Sequence, residues 1–277
     1  FSEKARTFAT SFSSKFPRNN MIGKNRIKQI RQYAQKKHRD AEGLFLAEGA
    51  KVLRELLPLL SCKLLCATEA FLETCEEQLL RRVEEIVVIN QRELEQMSQL
   101  KTPRHGLALF HMPPAVETKT LTAATEQQMV LALDGVQDPG NLGTIVRIAD
   151  WWGIDHVVCS HDTADVFAPK VVQATMGAIA RVKVSYVDLP QWLESLPNKV
   201  AVCGTFLDGD NIYAAPLPHS GILVMGNEGK GISADVEVSV NHRLLIPSFP
   251  AHRPTSESLN VAIATAVAVA EFRRQQG

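Results

Sequence analysis

Leu131-Ala-Leu-Asp-Gly-Val-Gln-Asp-Pro-Gly-Asn-Leu-Gly-Thr-Ile-Val-Arg147 is the stretch whose reading decides the fold. It continues an apolar run, residues 129–133, of the kind that forms a strand covered on both faces. The run breaks at Asp138-Pro139-Gly140-Asn141, a cluster that neither a helix nor a strand interior tolerates. Residues 141–152 then carry helical spacing as far as Gly153, with Asn141 placed to cap the helix. A polar loop between the carboxyl end of a strand and a helix is where open α/β sheets bind ligands. This loop presents Asn141 and Arg147, both suited to a polar or phosphate-bearing partner.

Downstream, similar apolar runs at residues 156–160, 200–204, 222–226 and 243–246 are separated by helix-length segments. Continuous apolar strands alternating with helices predict a parallel sheet covered on both faces, spanning 129–277. Upstream, the pattern is a helix at 25–37, a strand at 43–49, a helix at 50–60 and a strand at 63–67. A long acidic helix at 69–83, a strand at 85–89, a helix at 91–100 and a strand at 106–110 follow. These elements predict a small α/β domain over 21–111. Residues 112–128, with Pro113-Pro114 and little periodicity, read as a linker ending in a short helix. Residues 1–20 are rich in Ser, Phe, Lys and Arg. They read as a disordered extension ahead of a start at Met21, although the composition also suits an organelle transit segment.

The 277 residues suffice for a full core and one or two domains, and 45% hydrophobic content is ordinary for a globular protein. No apolar run reaches the ~18 residues that a membrane span needs, so no membrane partner is expected. The five cysteines lack metal-site spacing and the eight histidines form no cluster, so no metal is expected either. Cys159 and Cys203 lie in apolar runs, where a thiol behaves as a small hydrophobe, which suits a reducing compartment and a cytoplasmic location. Net charge is zero, but unevenly distributed. Residues 1–113 hold 19 Lys and Arg against 13 Asp and Glu, and residues 114–277 hold 11 against 17. A basic front half on an acidic back half is the outline of an RNA-docking module joined to a catalytic one. Arg31, Lys36, Lys37 and Arg39 form a basic cluster near the end of the first helix.

Two further segments complete a set. Ile222-Leu-Val-Met-Gly-Asn-Glu-Gly-Lys-Gly-Ile-Ser233 runs from a buried-type strand into a Gly-rich turn with one acid, Glu228. Its spacing is not that of a phosphate-binding loop. Leu244-Leu-Ile-Pro-Ser248, then Ser258-Leu-Asn-Val-Ala-Ile-Ala264, is a short strand, a loop and a helix start, with Ser258 and Asn260 as capping residues. In order and spacing the three segments resemble the three signature motifs of the SpoU/TrmH family of RNA ribose methyltransferases, over about residues 129–275. Residues 26–56 resemble that family's N-terminal, ribosomal-protein-like substrate-binding domain, with Arg39 and Glu48-Gly49 at matching positions. Ser248 and a long 248–257 loop depart from the family pattern of Ile-Pro-Met and a shorter connection. Arg253 in that loop is a candidate RNA or cofactor contact.

The resemblance implies a deep trefoil knot of the SPOUT type, which connection rules would never suggest. It implies S-adenosyl-L-methionine as cofactor, a homodimer with Asn141 and Arg147 near the partner's site, and ribose 2′-O-methylation of a structured RNA. The appended domain favours 23S-type large-subunit ribosomal RNA over transfer RNA. Arg147, Asn141, Glu228, Ser258 and Asn260 are the implied catalytic set. Met225, Gly226, Ile246 and Leu259 are the implied cofactor contacts, and Arg31, Lys36, Lys37 and Arg39 the RNA contacts. A guanidinium stays protonated in proteins, so Arg147 is read as a phosphate grip and alkoxide stabiliser rather than a base. Three alternatives remain: a base methyltransferase on the same scaffold, a transfer RNA 2′-O-methyltransferase, and a non-catalytic RNA-binding or ribosome-assembly factor. No Gly-x-Gly-x-x-Gly follows a strand, which speaks against a Rossmann-type dehydrogenase.

Overall fold

Two sheets organise the computed structural model, which describes residues 22–250, 256 and 258–277. Residues 1–20 and Arg253 lie outside the described residues, as does most of the loop that departs from the family pattern. The chain divides into two compact units. One runs to Pro113 and includes Phe167–Ala180; the other comprises Pro114–Val166 and Arg181–Gly277.

The first unit begins with α1 (Lys24–Gln32) and α2 (Lys36–Glu42), followed by β1 (Leu44–Glu48) and α3 (Ala50–Leu56). Next come β2 (Cys62–Ala67), α4 (Glu69–Leu72), α5 (Glu77–Leu80), β3 (Ile86–Val88), α6 (Gln91–Met97) and β4 (Gly106–His111). Its four strands are ordered β1-β4-β2-β3, with only β2 and β3 parallel. The expected helix at 25–37 is two helices, and buried Arg39 accounts for the break. Its Nη1 donates to the Tyr33 and Ala34 carbonyls, 2.8 Å each, where the first helix stops. The expected acidic helix at 69–83 is also two short pieces. The Thr74 hydroxyl donates to the Phe71 carbonyl at 2.7 Å, and Glu76 is extended, so the chain turns between them. α6 starts on a capping box, in which the Asn90 side chain accepts from the Glu93 amide and the Glu93 carboxylate accepts from the Asn90 amide.

The second unit carries α7 (Thr118–Gln127), β5 (Met129–Leu133), α8 (Pro139–Trp151) and β6 (His156–Ser160). It continues with β7 (Lys183–Val187), α10 (Leu189–Glu194), β8 (Val202–Asn211), β9 (Gly221–Met225), α11 (Ala234–Glu237), β10 (His242–Leu245) and α12 (Val261–Gln276); α9 (Pro169–Thr175) belongs to the first unit. All six strands are parallel, in the order β10-β8-β9-β5-β6-β7. Every residue of β5, β6 and β9 is buried, as their unbroken apolar runs predict. One face is packed by Leu121 of α7, Leu189 and Trp192 of α10 and Val236 of α11. α8 packs against β6 and α12. The all-parallel sheet is consistent with the knotted fold that the resemblance implies. The short helix expected at the end of the linker is α7, ten residues long with Leu121 fully buried. β7 escaped notice because Lys183-Val-Ser-Tyr-Val187 alternates on the edge of the sheet instead of running apolar throughout. Burial pushes the Cys203 thiol up to about 12, so it stays a protonated core side chain.

Candidate active site

The sheet's strand order creates the site. From β5 the chain steps to β6 and β7 on one side, whereas β8 and β9 lie on the other. The connection reverses between β5 and β9, and a crevice opens there beyond the carboxyl ends of both strands. The loop after β5 delivers Asn141 and the loop after β9 delivers Glu228.

Asn141 sits in the first turn of α8, but the capping residue is Asp138, not Asn141 as expected. The Asp138 carboxylate accepts from the Asn141 amide at 2.8 Å, and Pro139 occupies the first turn. That leaves the Asn141 side chain free to face the crevice. Its Nδ2 donates to Glu228 Oε1 at 3.0 Å, and its Oδ1 accepts from Asn260 Nδ2 at 2.9 Å. Asn260 caps α12, its Oδ1 accepting from the amides of Ala262 and Ile263 at 3.0 and 3.2 Å. Every bond points the same way, from the amides that open α12, through two carboxamides, to a carboxylate. An ionised carboxylate only accepts, so Glu228 fixes the orientation of both asparagines. Glu228 also accepts from the Asp138 and Gln137 amides at 3.1 and 3.3 Å. Burial alone would raise its carboxyl pKa, but the bonds from Asn141 and these amides outweigh burial and hold it below the ordinary value.

Asn227, which sequence reasoning passed over, holds the glycine-rich turn. Its Oδ1 accepts from the Gly229 and Lys230 amides at 3.0 and 3.1 Å, and its Nδ2 donates to the Gly135 carbonyl at 2.6 Å. The turn closes as a bridge between Asn227 and Gly231. A Cβ on Gly226 would fall 2.2 Å from the Gly231 carbonyl carbon, so this glycine serves the turn's own backbone crossing. At Gly231 a Cβ would meet nothing within 4 Å. Met225 is buried and its carbonyl accepts from the Asp134 amide at 2.9 Å. Ile246 is half-buried just after β10, and Leu259 is 49% exposed just before α12.

Three of the five expected catalytic residues thus share one network. Ser258 is exposed and joins no hydrogen bond with the other described residues. Arg147 is exposed on α8, about 120° round the helix from Asn141 and about 9 Å along it. Neither acid near it in sequence holds it. Asp150 is gripped by Arg181, with Nη2 2.8 Å from Oδ2, and Asp138 is the helix cap. Of the expected RNA contacts, Arg31, Lys36 and Lys37 are exposed, with Lys36 3.2 Å from Asp40. Arg39 is only 2% exposed and is engaged on carbonyls of its own unit, so its assignment to RNA is corrected. Among the described residues, no cluster of His, Cys, Asp and Glu has a metal-holding arrangement, and no helix is long and apolar enough to cross a membrane.

The model of the SpoU rRNA Methylase family matches residues 128–270, and that of an MRM3-like substrate binding domain matches residues 24–108. The 23S rRNA (guanosine(2553)-2′-O)-methyltransferase RlmP of Bacillus subtilis (strain 168) is 32% identical over 90% of this chain and 96% of its own. Mitochondrial rRNA methyltransferase 3A of Danio rerio is 28% identical over 91% of this chain and 69% of its own. A solved structure from Porphyromonas gingivalis, described as of the TrmH family, superposes with a TM-score of 0.82 at 40% identity, covering 92% of this chain and all of that one. An AdoMet-bound rRNA methyltransferase from Sinorhizobium meliloti gives 0.79 at 28% identity, over 92% of this chain and 97% of that one.

Proposed function

The chain belongs to the SpoU rRNA Methylase family, and from that premise we propose that it methylates a ribose 2′-hydroxyl of a 23S-type large-subunit ribosomal RNA. It is an S-adenosyl-L-methionine-dependent RNA 2′-O-methyltransferase acting on structured RNA. The choice of ribosomal over transfer RNA is supported by the substrate-binding domain and by relatives whose names specify ribosomal RNA. The observation that carries the reading is the single hydrogen-bonded chain from α12 through Asn260 and Asn141 to Glu228, which joins residues of three separate loops.

The residues present fit the methyl donor. The open space beside Gly231 of the glycine-rich turn gives a flat adenosine room to lie against the chain, and Ile246 and Leu259 offer apolar contact. Met225 and Gly226 shape the floor from which that turn rises. When bound, the cofactor supplies an electrophilic methyl group, and the chain's part is to orient and to stabilise charge. Glu228, with its lowered proton affinity, is a poor base and acts by orienting Asn141 and the ribose. Ser258 and Asn260 face the reacting sugar. Arg147 remains cationic, grips the phosphate and stabilises the developing alkoxide, while the proton leaves to phosphate or water. Its position on another face of α8 from Asn141 supports a homodimer in which Arg147 completes the partner's site.

Mapping the product tests this reading. Labelled cofactor is incubated with unmodified 23S-type, 16S-type and transfer RNA transcripts. One alkali-resistant position in the 23S-type transcript is expected. Label on transfer RNA alone overturns the target, and label at an alkali-sensitive position overturns ribose as the acceptor.

A further inference from the structure

The first unit contains a cavity of about 460 Å³ that is remote in sequence from all three motifs. It is lined by Thr68, Gln91, Glu95, Lys101, Arg104 and His105, among others. Two of these, Lys101 and Arg104, are cations and a third, His105, is an imidazole, and all three are exposed. None of the three makes an ion pair with another described residue. Glu95, the lining acid, accepts instead from Gln91 Nε2 at 3.0 Å.

The loop carrying them is held at its start, middle and end. Buried Glu48 accepts from the Ser98 hydroxyl and, at 2.9 Å, from the Gln99 amide. Gln91 Nε2 donates to the Pro103 carbonyl at 2.9 Å. The Thr68 amide donates to the His105 carbonyl at 2.8 Å. Between them the backbone is strained. His105 has φ +75°, and the Gly106 amide donates back to the Arg104 carbonyl at 2.9 Å, closing a tight three-residue turn. Gly106 packs tightly against the neighbouring strand, since a Cβ there would lie 2.6 Å from the Cys66 carbonyl oxygen. A left-handed histidine in a pinned loop, beside two unpaired cations, is strain kept at a surface that does something. The ring lies 6.1 Å from that of Phe71, which backs it from inside the unit.

We propose that this cavity holds one unstacked nucleotide of the RNA substrate, with its phosphate on Lys101 and Arg104 and its base against His105. The inference rests on the reading of the first unit as the RNA-docking part. Structured RNA is read at loops and bulges, where a base swings out to stack on an aromatic or guanidinium plane. The cavity is open to solvent and has room for one nucleotide, and its chemistry suits a phosphate with an adjoining planar ring. Thr68 and Gln91 supply neutral polar groups for the edge of the base. The exposed cluster at Arg31, Lys36 and Lys37 then gives long-range attraction, and the cavity gives register on the RNA.

Two variants of the full chain test this, Lys101→Ala/Arg104→Ala and His105→Gly. The probe is whichever of the 23S-type, 16S-type and transfer RNA transcripts the wild-type protein methylates. For the double variant, KM and Kd for that RNA should rise roughly tenfold or more, and the salt dependence of binding should flatten by about one to two counterions. Its kcat at saturating RNA and its cofactor affinity should stay as in the wild type. Glycine accepts the left-handed turn, so His105→Gly should melt no lower than the wild type yet bind RNA roughly tenfold more weakly. Wild-type RNA affinity in either variant overturns the proposal, as does an equal loss of cofactor affinity. Methylation of transfer RNA alone would instead sink the ribosomal target, and the two failures are read separately.

Discussion

At the scale of single residues, one carboxylate organises the candidate site. Glu228 stands exposed in a turn, where a sequence reading allows a solvated acid, yet it accepts from the side chains of Asn141 and Asn227 and from two backbone amides. Its lowered pKa has a testable sign. A carboxylate depressed in the folded state stabilises that state above the unfolded carboxyl's pKa, and the stabilisation fades as pH falls through the folded value. Glu228→Gln should therefore melt lower than the wild type at neutral pH, with the difference closing in acid. The same variant lets Asn141 turn over, and its turnover should drop roughly a hundredfold while the protein stays folded. Thermal melts across pH and methyl-transfer rates check both outcomes. Arg39 gives the opposite lesson. A buried guanidinium serving two carbonyls is structural, so Arg39→Ala should destabilise by about 3 kcal/mol or more. RNA affinity of the molecules that remain folded should not change. Denaturant unfolding beside a filter-binding assay separates these effects.

At the scale of elements, the capping of α8 and α12 places the side chains of the candidate site. Asp138 takes the capping role, and so Asn141 is free to bridge Glu228 and Asn260. Asp138→Ala should cost about 1 kcal/mol in stability and also slow methyl transfer, because the amide of Asn141 loses its anchor. A stable variant with an unchanged rate would contradict that coupling. These elements were legible from sequence to different degrees. β5 and β6 match the apolar runs residue for residue, because a strand buried on both faces leaves no ambiguity of period. β7 was hidden by its edge position, whereas α7 is the short helix read at the end of the linker. The first helix looked continuous because nothing in Tyr33-Ala-Gln35 breaks a helix. The break comes from Arg39, a tertiary contact that periodicity does not contain. Asn141, Glu228 and Asn260 were found by their motifs, but their mutual hydrogen bonds span 87 and 119 residues of chain and no local pattern encodes them. Asn227 was missed for a related reason, since its carboxamide acts on its own turn and on Gly135 across the crevice.

At the scale of the whole molecule, charge is divided along the chain, with 19 basic against 13 acidic residues before position 114 and 11 against 17 after it. A basic front gathers polyanionic RNA and an acidic back half with one proposed cation at its site performs the transfer, so affinity and turnover should respond separately to salt. Arg147 stands apart from the network it is proposed to serve. In a symmetric dimer, a residue that acts across the interface belongs to the site of the other copy. Mixed dimers test this most directly. Arg147→Ala and Asn260→Ala chains, each inactive alone and each still binding cofactor, are refolded together in equal amounts. About half of the dimers then carry one of each chain, with one site intact in each, so about a quarter of wild-type methyl transfer should return. No recovery, with mixed dimers shown to have formed, would place Arg147 in its own chain's site and contradict the account.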